Sequence, residues 1–250
     1  MNKPYIIAHR GSSFKAPENT MESVLLAWKE KADALEVDIH LSLDNQIVVI
    51  HDRNTKRTTG IKRKIKDTTL SELKSLDAGS WKADKWQGAL VPSLEEVLTT
   101  VPKNKRIFIE IKSGVATLTA LKNLLEQSNL LHEQIVIMSF GLTVVTKAKK
   151  MFPQIEVLWL KEFIVTKLFK SVKNELKKAI AQALEHKLDG LNIENVKELD
   201  KNFILEMKKN NLKCYCWTVD DPMRASELLT WGIDGVTTNK PKELRQNITL

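Results

Sequence analysis

Cysteine and tyrosine each occur only twice in the 250 residues, and aromatic residues make up just 6%. Two cysteines cannot staple a disulfide miniprotein. Cys214 and Cys216 lie two apart in Lys213-Cys214-Tyr215-Cys216-Trp217, so on a strand they share a face. A zinc site would need about two further nitrogen or sulfur ligands, and no Cys or His cluster stands nearby; reduced, buried thiols are the expectation. Glycine is also sparse, at nine residues, and no G-x-G-x-x-G turn follows any expected strand. No run approaches the roughly 20 consecutive apolar residues of a membrane span. The start, Met1-Asn2-Lys3-Pro4, leads straight into strand-like Tyr5-Ile6-Ile7-Ala8 without the apolar stretch and cleavage site of a signal peptide. The expected location is cytoplasmic.

What is present is an ordinary globular balance of 42% hydrophobic and 28% charged residues, which excludes a disordered chain. The net charge of +8 suits an anionic small molecule, a nucleic acid or an anionic membrane surface. Nucleic-acid binding would call for a basic stripe with interleaved aromatics or a reading motif, and neither is there.

Short apolar runs alternate with amphipathic stretches along nearly the whole chain. Strands are expected over 5–8, 34–41, 106–112, 134–139, 155–160, 190–193, 213–217 and 235–238, and helices over 20–31, 93–101, 117–128, 142–151, 172–186, 198–210 and 222–231. In the first helix Met21, Val24, Leu25 and Trp28 form one apolar face, with Asn19 as N-cap and Glu22 as its capping-box partner. Strands alternating with helices imply a parallel sheet with right-handed crossovers, and at this length a closed (β/α)8 TIM barrel fits better than an open doubly wound sheet. One interval breaks the rhythm. Asp44-Asn45 reads as a turn leading to an added strand at 46–51, and residues from about 52 to 92 read as a short insertion near the barrel mouth, after the second barrel strand.

The strand Leu35-Glu36-Val37-Asp38-Ile39-His40-Leu41 alternates strictly, and Ile107-Phe108-Ile109-Glu110-Ile111-Lys112 repeats the device. With the aliphatic face turned to the helices, Glu36, Asp38 and Glu110 point into the barrel, where carboxylates are costly unless paired or metal-bound. Oxygen donors suit a hard divalent ion, Mg²⁺ or Ca²⁺; the competing reading is a structural ion-pair cluster with Lys112. His9-Arg10 and His51-Asp52 end two strands, the position where barrel enzymes keep catalytic groups. Histidine suits acid/base work and Arg10 suits phosphate. His40 reads as structural, and His132 and His186 as surface residues.

At this point the chain resembles the glycerophosphodiester phosphodiesterase family. The resemblance rests on His9-Arg10-Gly11, Pro17-Glu18-Asn19-Thr20, Leu35-Glu36-Val37-Asp38, His51-Asp52, Arg57-Thr58-Thr59-Gly60, Val91-Pro92-Ser93-Leu94-Glu95-Glu96-Val97-Leu98, Glu110-Ile111-Lys112, Trp217-Thr218-Val219 and Asp234-Gly235-Val236, in that order. It implies a single TIM-barrel domain over residues 1–250 that cleaves glycerophosphodiesters to sn-glycerol 3-phosphate and an alcohol. It also implies one divalent cation on Glu36, Asp38 and Glu110, with His9 and His51 as the acid/base pair, either able to fill either part. Arg10 and Lys112 would hold the phosphate, and Trp217 would line the glycerol pocket. Two departures from the family pattern stand at the rim: Asn239 where Asp is usual, and Asp220 where Asn is usual. Glu18 is read as positioning Arg10 or favouring the adjacent helix start.

Three alternatives remain at this level: a lysophospholipase D-type enzyme working at a membrane surface, a nucleic-acid-binding protein, and a catalytically dead scaffold. Retention of both histidines and all three carboxylates speaks against the scaffold. Lysines interleaved with apolar residues over 161–178 offer a lid, a weak peripheral membrane contact or plain packing, and the run Ile61-Lys62-Arg63-Lys64-Ile65-Lys66 a solvated loop.

Overall fold

The computed structural model describes residues 4–163 and 172–248. Among these residues nine strands follow in chain order: β1 (Tyr5–His9), β2 (Ala34–Leu41), β3 (Ile47–Val49), β4 (Arg106–Ile111), β5 (Ile135–Ser139), β6 (Glu156–Lys161), β7 (Gly190–Glu194), β8 (Lys213–Trp217) and β9 (Gly235–Thr238). All except β3 are parallel in the order β1-β9-β8-β7-β6-β5-β4-β2, and pairing of β1 with β2 closes them into an eight-stranded TIM barrel. β3 runs antiparallel on β2, Val49 opposite Ile39, as the hairpin expected from Asp44-Asn45. The helices are α1 (Met21–Lys29), α2 (Lys56–Thr59), α3 (Leu70–Lys74), α4 (Leu94–Leu98), α5 (Thr117–Gln127), α6 (Leu142–Met151), α7 (Val172–Glu185), α8 (Lys201–Lys209), α9 (Pro222–Thr230) and α10 (Pro241–Asn247).

Period-two alternation sorts the strand residues into two cores. Outward-facing Ile6, Ala8, Leu35, Val37, Ile39, Ile107, Ile109, Cys214, Cys216 and Val236 pack under the helices. Inward-facing Ile7, Ala34, Phe108, Val136, Met138, Leu158, Leu160 and Tyr215 fill the barrel. Both cysteines are therefore free and buried on one strand face, and burial pushes the Cys216 thiol up to about 12. Phe108 and Tyr215 meet edge to face at 5.2 Å across the barrel interior, and Arg106, paired with Glu156 at 2.9 Å, stacks on Tyr5 and Phe108 towards the N-terminal end. The interior is plugged from below, so its open chemistry lies at the C-terminal mouth.

Two details of α1 differ from the sequence reading. The N-cap is Thr20, with Ser23 rather than Glu22 completing the capping box. Asn19 takes a positive φ of 56°, a conformation Asn tolerates better than most residues, and turns its side chain into the barrel mouth. The buried face is carried by Val24 and Ala27, with Met21 and Trp28 half-buried, while Leu25 is exposed. Residues 52–92, read from the sequence as a short insertion with little periodicity, contain α2, α3 and two 3₁₀ turns, Ile65–Asp67 and Asp84–Trp86. They close over a small core of their own, with Ile65, Leu73, Ala78 and Val91 packing on Val48 and Ile50. Helices of one turn are too short to show a periodicity, which is why only an interruption was legible.

Phe108→Ala would open a cavity at the base of the barrel and is expected to cost about 3–5 kcal/mol, read as a lowered denaturation midpoint.

Candidate active site

Strand register brings the acidic residues together. Asp38 is the lateral neighbour of Glu110 across β2 and β4, and Glu36 that of His9 across β1 and β2. Glu36, Asp38 and Glu110 are buried, and each offers an oxygen within 4.8 Å of the others. Lys112 Nζ lies 2.5 Å from Glu110 Oε1 and 3.1 Å from Asp38 Oδ1, and Arg10 Nε lies 3.0 Å from Asp38 Oδ2. Asn19 clasps Asp38 from the far side, donating Nδ2–H to Oδ2 at 2.8 Å and accepting from its backbone N–H. Glu36 accepts from the Arg10 backbone N–H at 2.9 Å through Oε2, while its buried Oε1 has no hydrogen-bond partner.

The local charge does not balance. Burial opposes ionisation of Asp38, but Arg10 and Lys112 outweigh it and hold that carboxyl well below its usual range. Burial, reinforced by Asp38, pushes Glu110 up to about 7, and burial, reinforced by Asp38 and Glu110, holds Glu36 well above its ordinary value. Three buried oxygen donors, one oxygen without a partner and an excess of negative charge fit a hard divalent cation.

The His9-Arg10-Gly11 corner needs its glycine. Gly11 has φ 82°, and a Cβ there would stand 2.4 Å from the Ser23 hydroxyl, so only glycine lets this loop lie against α1. Ser23 in turn donates its hydroxyl to the Arg10 carbonyl at 2.9 Å. Beyond Arg10 runs an ion chain. Arg10 donates to Glu18 Oε1 at 2.9 Å; Arg57 grips Glu18 through both NH groups at 2.9 and 2.7 Å and reaches Asp52 through Nε at 2.8 Å. Asp52 Oδ1 is 2.7 Å from His51 Nδ1. Glu18 thus positions Arg10, one of its two readings from sequence, and Arg57 on α2 ties the insertion to His51. His40 is structural, as expected, with Nε2 on the His51 carbonyl at 3.0 Å and Nδ1 on Ser113 Oγ at 3.0 Å.

His9 has a different partner. Asp220 accepts from Thr238 Oγ1 at 2.7 Å, from the Asn239 backbone N–H at 2.8 Å and from Asn239 Nδ2 at 2.7 Å. That orients the Asn239 amide, so its Oδ1 faces His9 Nδ1 at 2.7 Å and can only accept. In the neutral ring Nδ1 therefore carries the proton and Nε2 the lone pair. Burial, then Arg10, lowers the His9 pKa to about 4. The two rim departures noted from sequence are thus bonded to each other.

One cavity of about 210 Å³ is lined by His9, Arg10, Glu36, His51, Glu110, Lys112 and Trp217; Asp38 lies buried behind it. Trp217 is anchored by its Nε1–H on the Asn192 carbonyl at 3.2 Å and by an edge-to-face contact with Phe140. All eight residues singled out from sequence therefore converge. Asn19 was read only as a helix cap, Asp220 and Asn239 only as departures at the rim, and Asp52 and Arg57 only as members of quoted motifs; none was named as a site residue. A larger cavity of about 870 Å³ opens at the N-terminal mouth, where Arg106, Lys149 and Lys213 are already paired with Glu156, Asp189 and Asp234. No helix among the described residues is long and apolar enough to cross a membrane. The centre of the lysine-rich segment, 164–171, lies outside the described residues.

A parallel barrel with two histidines, a carboxylate cage and two cations at its C-terminal mouth has the parts of a barrel hydrolase acting on phosphate esters. The chain belongs to the glycerophosphoryl diester phosphodiesterase family, whose model it matches over residues 9–243. It is 32% identical over 248 residues to a glycerophosphodiester phosphodiesterase of Caldanaerobacter subterraneus, covering 97% of this chain and 96% of that one. It is also 32% identical over 253 residues to a glycerophosphodiester phosphodiesterase of Bacillus subtilis, covering 94% and 83%. Its fold superposes with a TM-score of 0.84 on an Oleispira antarctica phosphodiesterase in complex with the product sn-glycerol-3-phosphate, at 29% identity, covering 98% of this chain and 96% of that one.

Asn239→Asp sets a second carboxylate against Asp220 and is expected to lower kcat by about 10²-fold. The exchange Asn239→Asp with Asp220→Asn restores one carboxylate and one amide, and steady-state kinetics should recover to within about tenfold of wild type.

Proposed function

We propose that the chain hydrolyses glycerophosphodiesters to sn-glycerol 3-phosphate and an alcohol. In this reading His9 and His51 are the acid/base pair, Arg10 and Lys112 hold the phosphate, and Trp217 lies against the glycerol. Glu36, Asp38 and Glu110 would hold one divalent cation, Mg²⁺ or Ca²⁺, and the location would be cytoplasmic. The observation that carries the reading is the single cavity shared by both histidines, both cations, the acidic cage and Trp217. The product bound to the Oleispira relative supports the choice of substrate.

The bound cation would supply fixed positive charge for the oxygens that become more negative as the ester bond breaks. The histidines divide the proton work. His9, neutral at pH 7 with its Nε2 lone pair free, takes the proton of the attacking hydroxyl, whether water or the substrate's own 2-hydroxyl. His51, whose Nδ1 lies 2.7 Å from Asp52 Oδ1, gives a proton from Nε2 to the leaving oxygen as the P–O bond breaks, and Asp52 orients the ring for that transfer. Such a pair contributes about 10²–10⁴-fold for each proton moved. Arg10 and Lys112 are pre-oriented by carboxylates that would otherwise be unpaired, so they meet the phosphate with little reorganisation. The lysophospholipid alternative drew on the 161–178 segment, whose centre is outside the described residues, and the glycerophosphodiester reading is the conclusion.

Release of sn-glycerol 3-phosphate from glycerophosphocholine, abolished by EDTA and restored by Mg²⁺ or Ca²⁺, is the expected result; no release from the folded, metal-supplied protein would refute the reading. His9→Ala and His51→Ala should each lower kcat by about 10²-fold or more while calorimetric metal binding persists. Because Glu110 must be ionised to bind the ion, metal binding at pH 6 should release protons. Affinity should rise as pH increases through about 7, the value at which Glu110 loses its proton in the metal-free protein.

A further inference from the structure

The basic run beside the site is an anchored part of the fold. Its backbone is clipped to residues 53–55 by an antiparallel bridge between Asn54 and Lys64, by Ile65 N–H on the Arg53 carbonyl at 3.1 Å and by Thr55 N–H on the Arg63 carbonyl at 3.0 Å. Ile65 and Thr55 are buried beneath it. The clip displays Arg53, Lys62, Lys64 and Lys66 around a concavity of about 600 Å³ that also reaches His40 and Lys112. Among the described residues no Asp or Glu lines this concavity. Among the described residues none of the four cations makes an ion pair, whereas Arg10, Arg57 and Lys112 are each held by carboxylates. Four uncompensated charges turned into one hollow repel one another unless an anion enters.

The hollow continues into the catalytic centre. It shares Arg53, His40 and Lys112 with a cavity of about 540 Å³ that is lined by His51 and Glu110, and that cavity shares His51, Glu110 and Lys112 with the catalytic one. Trp217 ends β8, and in the barrel order β8 lies opposite β4, the strand that ends beside Lys112. On the functional reading above, with glycerol at Trp217 and the scissile phosphate at Arg10 and Lys112, the leaving alcohol passes His51 and extends towards Arg53 and the three lysines.

We propose that Arg53, Lys62, Lys64 and Lys66 form a leaving-group subsite for a second anionic group, so that the preferred diesters are those whose alcohol itself carries a phosphate. The inference rests on the glycerophosphodiesterase reading and adds to it the charge class of the alcohol. Lysines without carboxylate partners, held over a hollow by an anchored loop, match a compact dianion. A lipid surface would instead engage a flat or convex face with several outward apolar side chains, whereas this loop turns only Ile61 outward and buries Ile65.

The test compares two diesters, sn-glycero-3-phosphocholine with its cationic alcohol and a glycerophosphoglycerol bearing a terminal phosphomonoester, on the metal-supplied wild type and on Lys62→Gln/Lys64→Gln/Lys66→Gln. The wild type should prefer the phosphorylated diester. The triple variant should lose about tenfold or more in kcat/KM on it, chiefly through KM, stay within about twofold on the phosphocholine diester, and lose the salt sensitivity of the preference. Lys64→Gln alone should show an intermediate effect. Equal changes on both substrates, or none, overturn the subsite. Hydrolysis of neither diester by the wild type would instead overturn the functional reading on which it rests. Sedimentation with phosphatidylglycerol vesicles separates the other source of anions: lysine-dependent vesicle binding with an unchanged substrate preference would overturn the subsite and assign the lysines to a membrane.

Discussion

Three carboxylates buried within 4.8 Å of one another at the mouth of the barrel set the condition that the surrounding structure has to meet. Removing that much like charge from water is far more costly than any packing gain at the same positions could offset. Arg10, Lys112 and the amide of Asn19 are therefore drawn onto Asp38, and the backbone N–H of Arg10 onto Glu36. The compensation is incomplete. Glu110 and Glu36 stay above their ordinary carboxyl range, and one Glu36 oxygen has no partner. Full ionisation of the three carboxyls is thus left uncompensated by the protein's own groups, and a divalent cation would make up that deficit.

The barrel supplies the geometry, because parallel strands deliver their C-terminal residues to one rim and alternation turns every second one inward. The rim is then wired by charge. The chain from Asp38 through Arg10, Glu18, Arg57 and Asp52 to His51 joins the first strand, the first helix cap and the insertion into one network. His51 comes from the end of a hairpin rather than from a barrel strand, and needs this support, together with His40 on its carbonyl, to stand at a fixed place. The insertion is thus a brace for a histidine as well as a wall of the cavity.

The two histidines are held by opposite means. His51 faces a carboxylate, whereas His9 faces an amide whose orientation is set by Asp220 one step further out. An amide oxygen fixes the tautomer without adding a negative charge beside Glu36, where another carboxylate would raise the electrostatic cost. Position and tautomer of the two rings are therefore set by separate partners, as the proposed division of the proton work requires.

The strand alternation at 34–41 and 106–112, the hairpin after Asn45, the barrel and the eight residues that line or back the cavity were all legible in the chain, because each rests on a local period or an ordered set of motifs. The partners of those residues were not. Asn19 read as a helix cap, and became a clasp on Asp38 only once β2 was placed beside α1, leaving the cap to Thr20. Asp220 and Asn239 looked like separate departures at the rim; they are hydrogen-bonded because the loops after β8 and β9 meet above His9. The short helices of the insertion were invisible for want of a period, and the lysines of its loop became a converging set only through the bridge between Asn54 and Lys64. Period and motif order determined the fold class and the inward-pointing residues, since those depend on neighbours along the chain. Which groups hold one another, and what charge is left over, was decided by contacts between segments up to 230 residues apart, which only strand register and barrel closure create.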